Sequence, residues 1–191
     1  MTPTAPAAPS PPLMTAEEFV RLHGHESGLE LVKGRVVRTP LPGADHGYVC
    51  LKAGSLIMQA AEAAGLGRTM ANDTFVRVGT NPDTYRGADV CFVSFARLPK
   101  ESPRPKGPLE VPPDLVLEVR SPTDRTSDIL IKVGEYLNAG VTVVVVLDPN
   151  IEAASVYRQG DDFPQRRHNG DTLTLPDVLP GFAVPVRRFF E

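Results

Sequence analysis

Apolar positions along the chain follow two rhythms, and their alternation predicts a sheet with helices packed against it. Val49, Leu56, Ile57, Ala60, Ala61 and Ala64 recur near helical spacing, and Gly65 and Gly67 supply the stop, so a long helix is predicted over about 44–64. A second helix is predicted over about 127–138, ended by Gly140. A short one is predicted from Thr15 to about Leu22, opened by the capping box Thr15-Ala16-Glu17-Glu18. There the hydroxyl accepts from an orphan amide and the carboxylate three residues on reaches back.

The other rhythm is that of strands. Leu29-Glu30-Leu31-Val32 and Arg35-Val36-Val37 flank Lys33-Gly34, which reads as a hairpin with glycine supplying the positive φ. Two strands are predicted near 74–78 and 88–95, separated by a turn on Asn81-Pro82-Asp83. Val141-Thr142-Val143-Val144-Val145-Val146-Leu147 is nearly unbroken β-branched sequence, the pattern of a strand covered on both faces. Val156-Tyr157 and Leu173-Thr174-Leu175 read as peripheral strands. A strand around Glu118, the following helix and this buried strand make a right-handed crossover candidate. The expected fold is α/β (α+β): a mixed sheet flanked by helices, with an N-terminal hairpin. The proline-rich stretch 99–113, carrying Lys100, Arg104 and Lys106 against Glu101 and Glu110, reads as a mobile lid or binding loop.

Composition narrows the function classes. The 191 residues fit one domain, residues 13–191, after a Pro/Ala/Thr-rich segment over residues 1–12 that is expected to be disordered. A net charge of -3 and a pI near 5.8 give no global basic footprint, so nucleic acid would have to be met by a local patch. Cys50 and Cys91 are far apart in apolar contexts, as expected of free thiols in a reducing cytoplasm. No run approaches the roughly 18 apolar residues of a membrane helix, and the amino terminus lacks the pattern of a secretory signal.

Candidate chemistry centres on Glu118, a carboxylate within Leu115-Val116-Leu117-Glu118-Val119 that needs a partner if buried. Asp89 opens another apolar run, and Lys132 lies on the helix after Glu118. Two carboxylates and a lysine at the ends of neighbouring elements can hold a hard divalent cation and a polarised water, a combination suited to phosphodiester hydrolysis. Arg120 lies on the strand face of Glu118, about 6–7 Å away, where it can reach a phosphate but makes a poor proton acceptor. Lys132 borders the helix face packed on the sheet, where desolvation would lower its pKa. His46, at the start of the long helix, can touch the site or a phosphate, or serve structure alone. His23-Gly24-His25-Glu26 has metal-ligand residue types but no further ligand nearby. There is no Walker loop, nucleophile elbow or zinc-type cysteine pairing.

Taken in order, Glu30-Leu31-Val32-Lys33-Gly34, His46, Arg86-Gly87-Ala88-Asp89-Val90, the segment from Pro113 to Pro122, Lys132 with Tyr136, and Ala139-Gly140-Val141 resemble the Uma-two family. That family is a branch of the PD-(D/E)XK restriction-endonuclease-like superfamily. The resemblance implies a metal-dependent endonuclease acting on nucleic acid, DNA foremost, with Mg²⁺ or Mn²⁺ as cofactor and a homodimer as the working form. It implies Asp89 and Glu118 as metal ligands, with the carbonyl of Val119, and Lys132 as the lysine moved from the strand to the next helix. Glu30 would be a further acidic member. Ala88 stands where the family has proline, and Arg120 fills the usual lysine slot. Alternatives are a nuclease fold that binds nucleic acid or protein without cutting, and an assembly partner acting through the proline-rich loop. A half-buried strand with Glu118 and Arg120 simply solvated would show the same alternation.

Overall fold

The computed structural model describes residues 12–191, so the expected disordered tail falls almost wholly outside the described residues. Helix α1 (Ala16–His23) carries the capping box as expected: the Glu18 amide donates to the Thr15 hydroxyl at 3.2 Å and the Thr15 amide to the Glu18 carboxylate at 2.9 Å. Strands β1 (Leu29–Val32) and β2 (Arg35–Arg38) form the hairpin, with both turn residues in the left-handed region, Lys33 at φ 49° and Gly34 at φ 71°. Two successive positive φ values match a two-residue turn to the twist of its strands.

The chain continues through α2 (Ala44–Ala63), β3 (Gly67–Gly79), β4 (Thr84–Ser94), β5 (Leu115–Val119), α3 (Thr126–Asn138), β6 (Val143–Asp148), β7 (Ala153–Arg158) and β8 (Gln165–Arg167). A small second sheet, β9 (Thr172–Leu175) with β10 (Leu179–Pro185), leads into a 3-10 turn, Val186–Phe189. The main sheet runs β2-β1-β4-β5-β6-β7-β8, with β3 also paired to β4. Only the β5–β6 pair, joined through α3, is parallel; the other named pairs are antiparallel.

Alternation sorts side chains to two cores. Leu115, Leu117 and Val119 pack with Val49, Ala53, Ile57 and Ala61 of α2, whereas Val116 packs with Val133 and Tyr136 of α3. All five residues of β5 are therefore buried, and the solvated reading of Glu118 fails, since that side chain lies on the α3 face of a central strand.

Two expectations need correction. First, β3 starts at Gly67 and β4 at Thr84, both earlier than the apolar pattern implied. The pattern missed them because Arg68-Thr69-Met70-Ala71-Asn72-Asp73 is polar and contains a bulge. Between the pairs Ala71↔Val90 and Thr74↔Ala88, two residues of β3, Asn72 and Asp73, oppose Asp89 alone. Both adopt left-handed φ, 71° and 54°. Second, the proline-rich segment is fastened rather than lid-like. Arg68 donates to the carbonyls of Leu98, Pro99, Lys100 and Ser102, Leu109 is buried and bridges to Val76, and Arg97 donates to the carbonyls of Pro112, Pro113 and Gly140.

One topological detail positions everything polar. β3 runs along one edge of β4, so β1 and β5 must share the other, β1 meeting it at Tyr85 and β5 at Val90–Phe92. Phe19, Leu29, Leu31 and Tyr85 form a third core cluster that clamps β1 there. The edge of β4 from Arg86 to Asp89 is left without a strand partner.

Candidate active site

Side chains fill that interrupted edge. The Gly87 amide donates to Glu30 Oε1 at 3.1 Å, and Lys132 Nζ donates to the Gly87 carbonyl at 3.3 Å. Asp89 Oδ2 accepts from the Val119 amide at 2.6 Å, tying the end of β5 back to β4. Backbone groups that would otherwise be buried and unpaired are thus satisfied by ionisable side chains.

These side chains form two networks that meet at the end of β5, where Glu118 belongs to one and the amide of the next residue, Val119, to the other. Lys132 Nζ lies 2.8 Å from Glu118 Oε2 and 3.3 Å from Glu30 Oε1. The Tyr136 hydroxyl donates to Glu118 Oε1 at 2.9 Å, so both Glu118 oxygens are engaged from α3. Lys132 and Tyr136 are four residues apart on that helix, which puts both on the face toward β5. Arg86 bridges Glu30 Oε2 at 2.7 Å and Glu135 Oε2 at 2.6 Å. On the side of α2, His46 Nε2 approaches Asp89 Oδ2 at 3.4 Å, and the Cys50 thiol lies 3.4 Å from His46 Nδ1.

The structure thus brings Glu30, Glu118 and Lys132 into contact and places Asp89 beside them through the Val119 amide, with His46 joining through Asp89. Arg120 is turned elsewhere: its guanidinium meets Asp148 at 3.1 Å and the Thr126 hydroxyl at 3.1 Å. His23 is bonded to Glu26 at 2.9 Å, and no third ligand completes a cluster there among the described residues. Asp73, Arg86, Glu135 and Cys50 were not foreseen as site members. Asp73 is delivered by the β3 bulge opposite Asp89. Gly87 permits that approach, because a Cβ there would lie 3.2 Å from the Asp73 Cβ. Paired Asn-Asp, residue types tolerant of left-handed φ, was the available signal for a bulge.

The electrostatics describe a cluster with too much negative charge. Burial pushes the Glu118 carboxyl up to about 7; the Lys132 ammonium opposes this and the charge of Asp89 adds to it. Asp73 keeps solvent access yet is also raised, by desolvation in the recess and by Asp89. The His46 imidazole is raised chiefly by its bond to Asp89, against burial. The Cys50 thiol is raised by burial and by the carboxylates of Asp89, Asp73 and Glu118. The expected lowering of Lys132 is reversed. Burial alone would lower it, but Glu118 and Glu30 together hold the ammonium above its ordinary value. A divalent cation fits this donor set: hard carboxylate oxygens outnumber the neighbouring cations, and two of the carboxyls resist ionisation without further positive charge.

A family model described as "Putative restriction endonuclease", Uma2, matches residues 16–187. The chain belongs to the Uma2 family. Its fold is similar to that of a solved structure, a "putative nuclease belonging to DUF820" from Anabaena variabilis, with a TM-score of 0.78 and 19% sequence identity over 93% of this chain and 97% of that one. At that identity the likeness speaks for the shared fold. No curated protein sequence matches the chain. None of its described helices is long and apolar enough to cross a membrane.

Proposed function

We propose that the protein is a divalent-metal-dependent endonuclease that hydrolyses phosphodiester bonds in nucleic acid, with DNA as substrate, Mg²⁺ or Mn²⁺ as cofactor and a cytoplasmic homodimer as the working form. One observation carries the reading: Glu118 and Glu30 flank Lys132 at a break in the sheet edge, and Asp89 and Asp73 lie near enough to add to the same negative field, so that carboxylates outnumber the neighbouring cations. Family membership supports the same reaction class. The dimer is the form in which two such sites address two strands.

Asp89 and Glu118 would hold the cation, with Asp73 at the rim. The ion, when bound, supplies Lewis-acid polarisation of the phosphodiester and eases deprotonation of an attacking water. Lys132 has a different task. An ammonium held above its ordinary pKa donates hydrogen bonds and positive charge but accepts no proton at neutral pH, so its place is beside the charge that develops on phosphoryl oxygens. Tyr136 and Lys132 fix the orientation of Glu118. Glu30 holds Lys132 in register and is itself oriented by Arg86.

Cleavage of plasmid DNA, with and without Mg²⁺ or Mn²⁺, tests this. Asp89→Asn and Glu118→Gln proteins that melt cooperatively should lose about 100-fold or more in rate, since stabilisation worth several kcal/mol is removed. Cleavage in excess chelator, or undiminished cleavage by Glu118→Gln, would count decisively against the proposal. A non-cutting binder remains the second reading, favoured by the complete engagement of Glu118 within the protein. It calls for salt-sensitive nucleic-acid binding with no hydrolysis under any divalent ion.

A further inference from the structure

We propose that His46, Cys50 and Asp89 form a binding site for a thiophilic divalent transition metal, with Zn²⁺ the best-matched ion, distinct in ligand chemistry from the hard-cation site that shares Asp89. Among the described residues, this is the one group of three ligand-type side chains whose donor atoms all lie within 4.8 Å of one another. The arrangement follows from the fold. His46 and Cys50 are four residues apart in the first turns of α2 and so share a helix face. The packing of Val49 and Ala53 with Val90 presents that face to the neighbouring Asp89.

The distances suit a tetrahedral ion. Zinc bonds of about 2.3 Å to sulfur and about 2.0–2.1 Å to nitrogen or oxygen place sulfur and nitrogen ligands about 3.5 Å apart, and nitrogen and oxygen ligands about 3.3 Å apart. The corresponding separations are 4.0 Å between Cys50 Sγ and His46 Nε2 and 3.4 Å between His46 Nε2 and Asp89 Oδ2. Bringing Sγ to about 3.5 Å from Nε2 would take a shift of about half an ångström. Three protein ligands leave a fourth position for solvent or a substrate oxygen, as in catalytic rather than structural zinc sites.

Softness separates this site from the one proposed above. A thiolate and an imidazole favour Zn²⁺, Co²⁺ or Cd²⁺ over Mg²⁺, which prefers oxygen. On binding, the thiol proton passes to solvent and the sulfur–metal bond takes its place. Because Asp89 would serve both ions, a thiophilic ion and Mg²⁺ would compete. That consequence, unlike the binding itself, rests on the nuclease reading.

Co²⁺ titration of the full chain, followed by absorbance, reads the site directly. Thiolate-to-cobalt charge transfer and intense tetrahedral d–d bands should appear at one equivalent and be displaced by Zn²⁺ but not by equimolar Mg²⁺. Cys50→Ala should abolish the charge-transfer band, His46→Ala should weaken Co²⁺ affinity at least about tenfold, and Cys91→Ala should retain the band. Cys50→Ser serves as a second, isosteric variant if Cys50→Ala melts early. No band at any Co²⁺ concentration, or a band that persists in both Cys50 variants, overturns the inference. Mg²⁺-dependent cleavage without the band would refute this site alone. The band in a protein that never cleaves would support this site and refute the nuclease.

Discussion

Replacing Lys132 by methionine removes the one ammonium between Glu30 and Glu118 while keeping most of the side-chain volume. The lysine lies 2.8 Å from Glu118 and 3.3 Å from Glu30, and its side chain is only 22% exposed. Two contacts at such distances represent about 5–6 kcal/mol each of gross attraction at an effective dielectric near 20, most of it offset by desolvation. Removal of one partner from a buried pair typically costs about 3–5 kcal/mol, because a charge is left uncompensated. For a chain of this size, that corresponds to a fall in Tm of about 6–20 °C. The loss should depend on pH in a definite direction. Glu118 titrates near 7 in the fold, above its ordinary 4.5, and loses its main opposing influence when Lys132 is gone. A carboxyl raised in the fold favours folding when protonated, and that advantage disappears as pH climbs through its folded pKa. The gap between wild type and Lys132→Met should therefore be small near pH 5 and widest above pH 7, in melts followed by circular dichroism in chelator. Mn²⁺ or Mg²⁺ should then raise the Tm of the variant more than that of the wild type. A gap that stays constant from pH 5 to 8.5, or no gap at all, would refute the electrostatic account of the cluster.

Two further outcomes follow from the same geometry. Gly87→Ala places a methyl group 3.2 Å from the Asp73 Cβ and should displace the bulge; metal-dependent cleavage should fall about tenfold or more while Tm changes by only a few degrees. Arg97→Ala strips hydrogen bonds from the carbonyls of Pro112, Pro113 and Gly140 and from the Thr142 hydroxyl, as well as the ion pair with Asp114. Urea denaturation should show a loss of about 2–3 kcal/mol, and limited proteolysis should newly cut within the proline-rich segment.

The helices, the hairpin and the parallel β5–β6 pair were legible because each rests on local signals: a capping box, glycine stops, a two-residue turn, a run of β-branched residues. Membership of a restriction-endonuclease-like family was legible from motif order alone. The extent of β3 was not, because a bulged strand breaks period-two alternation and Asn72-Asp73 reads as a loop. Asp73 was missed for the same reason. Arg86 lies within a family-like motif, but its bridge between Glu30 and Glu135 joins three elements and has no signature in spacing. The expected direction of the Lys132 shift weighs burial alone, whereas the carboxylates already expected at the site, Glu118 and Glu30, lie close enough to outweigh it. Arg120 shares a strand face with Glu118 on paper, yet it lies just past the end of β5, where Asp148 and Thr126 capture it.

The interrupted edge of β4 means that Glu30, Lys132 and Asp89 stand in for missing rungs of a ladder. Selection for folding alone would therefore tend to retain them, even in a descendant that had abandoned catalysis. Asp73 replaces no rung and would be free to drift. Within this fold, an acid at the bulge would then be a better sign of living chemistry than the lysine and glutamate that first attract attention.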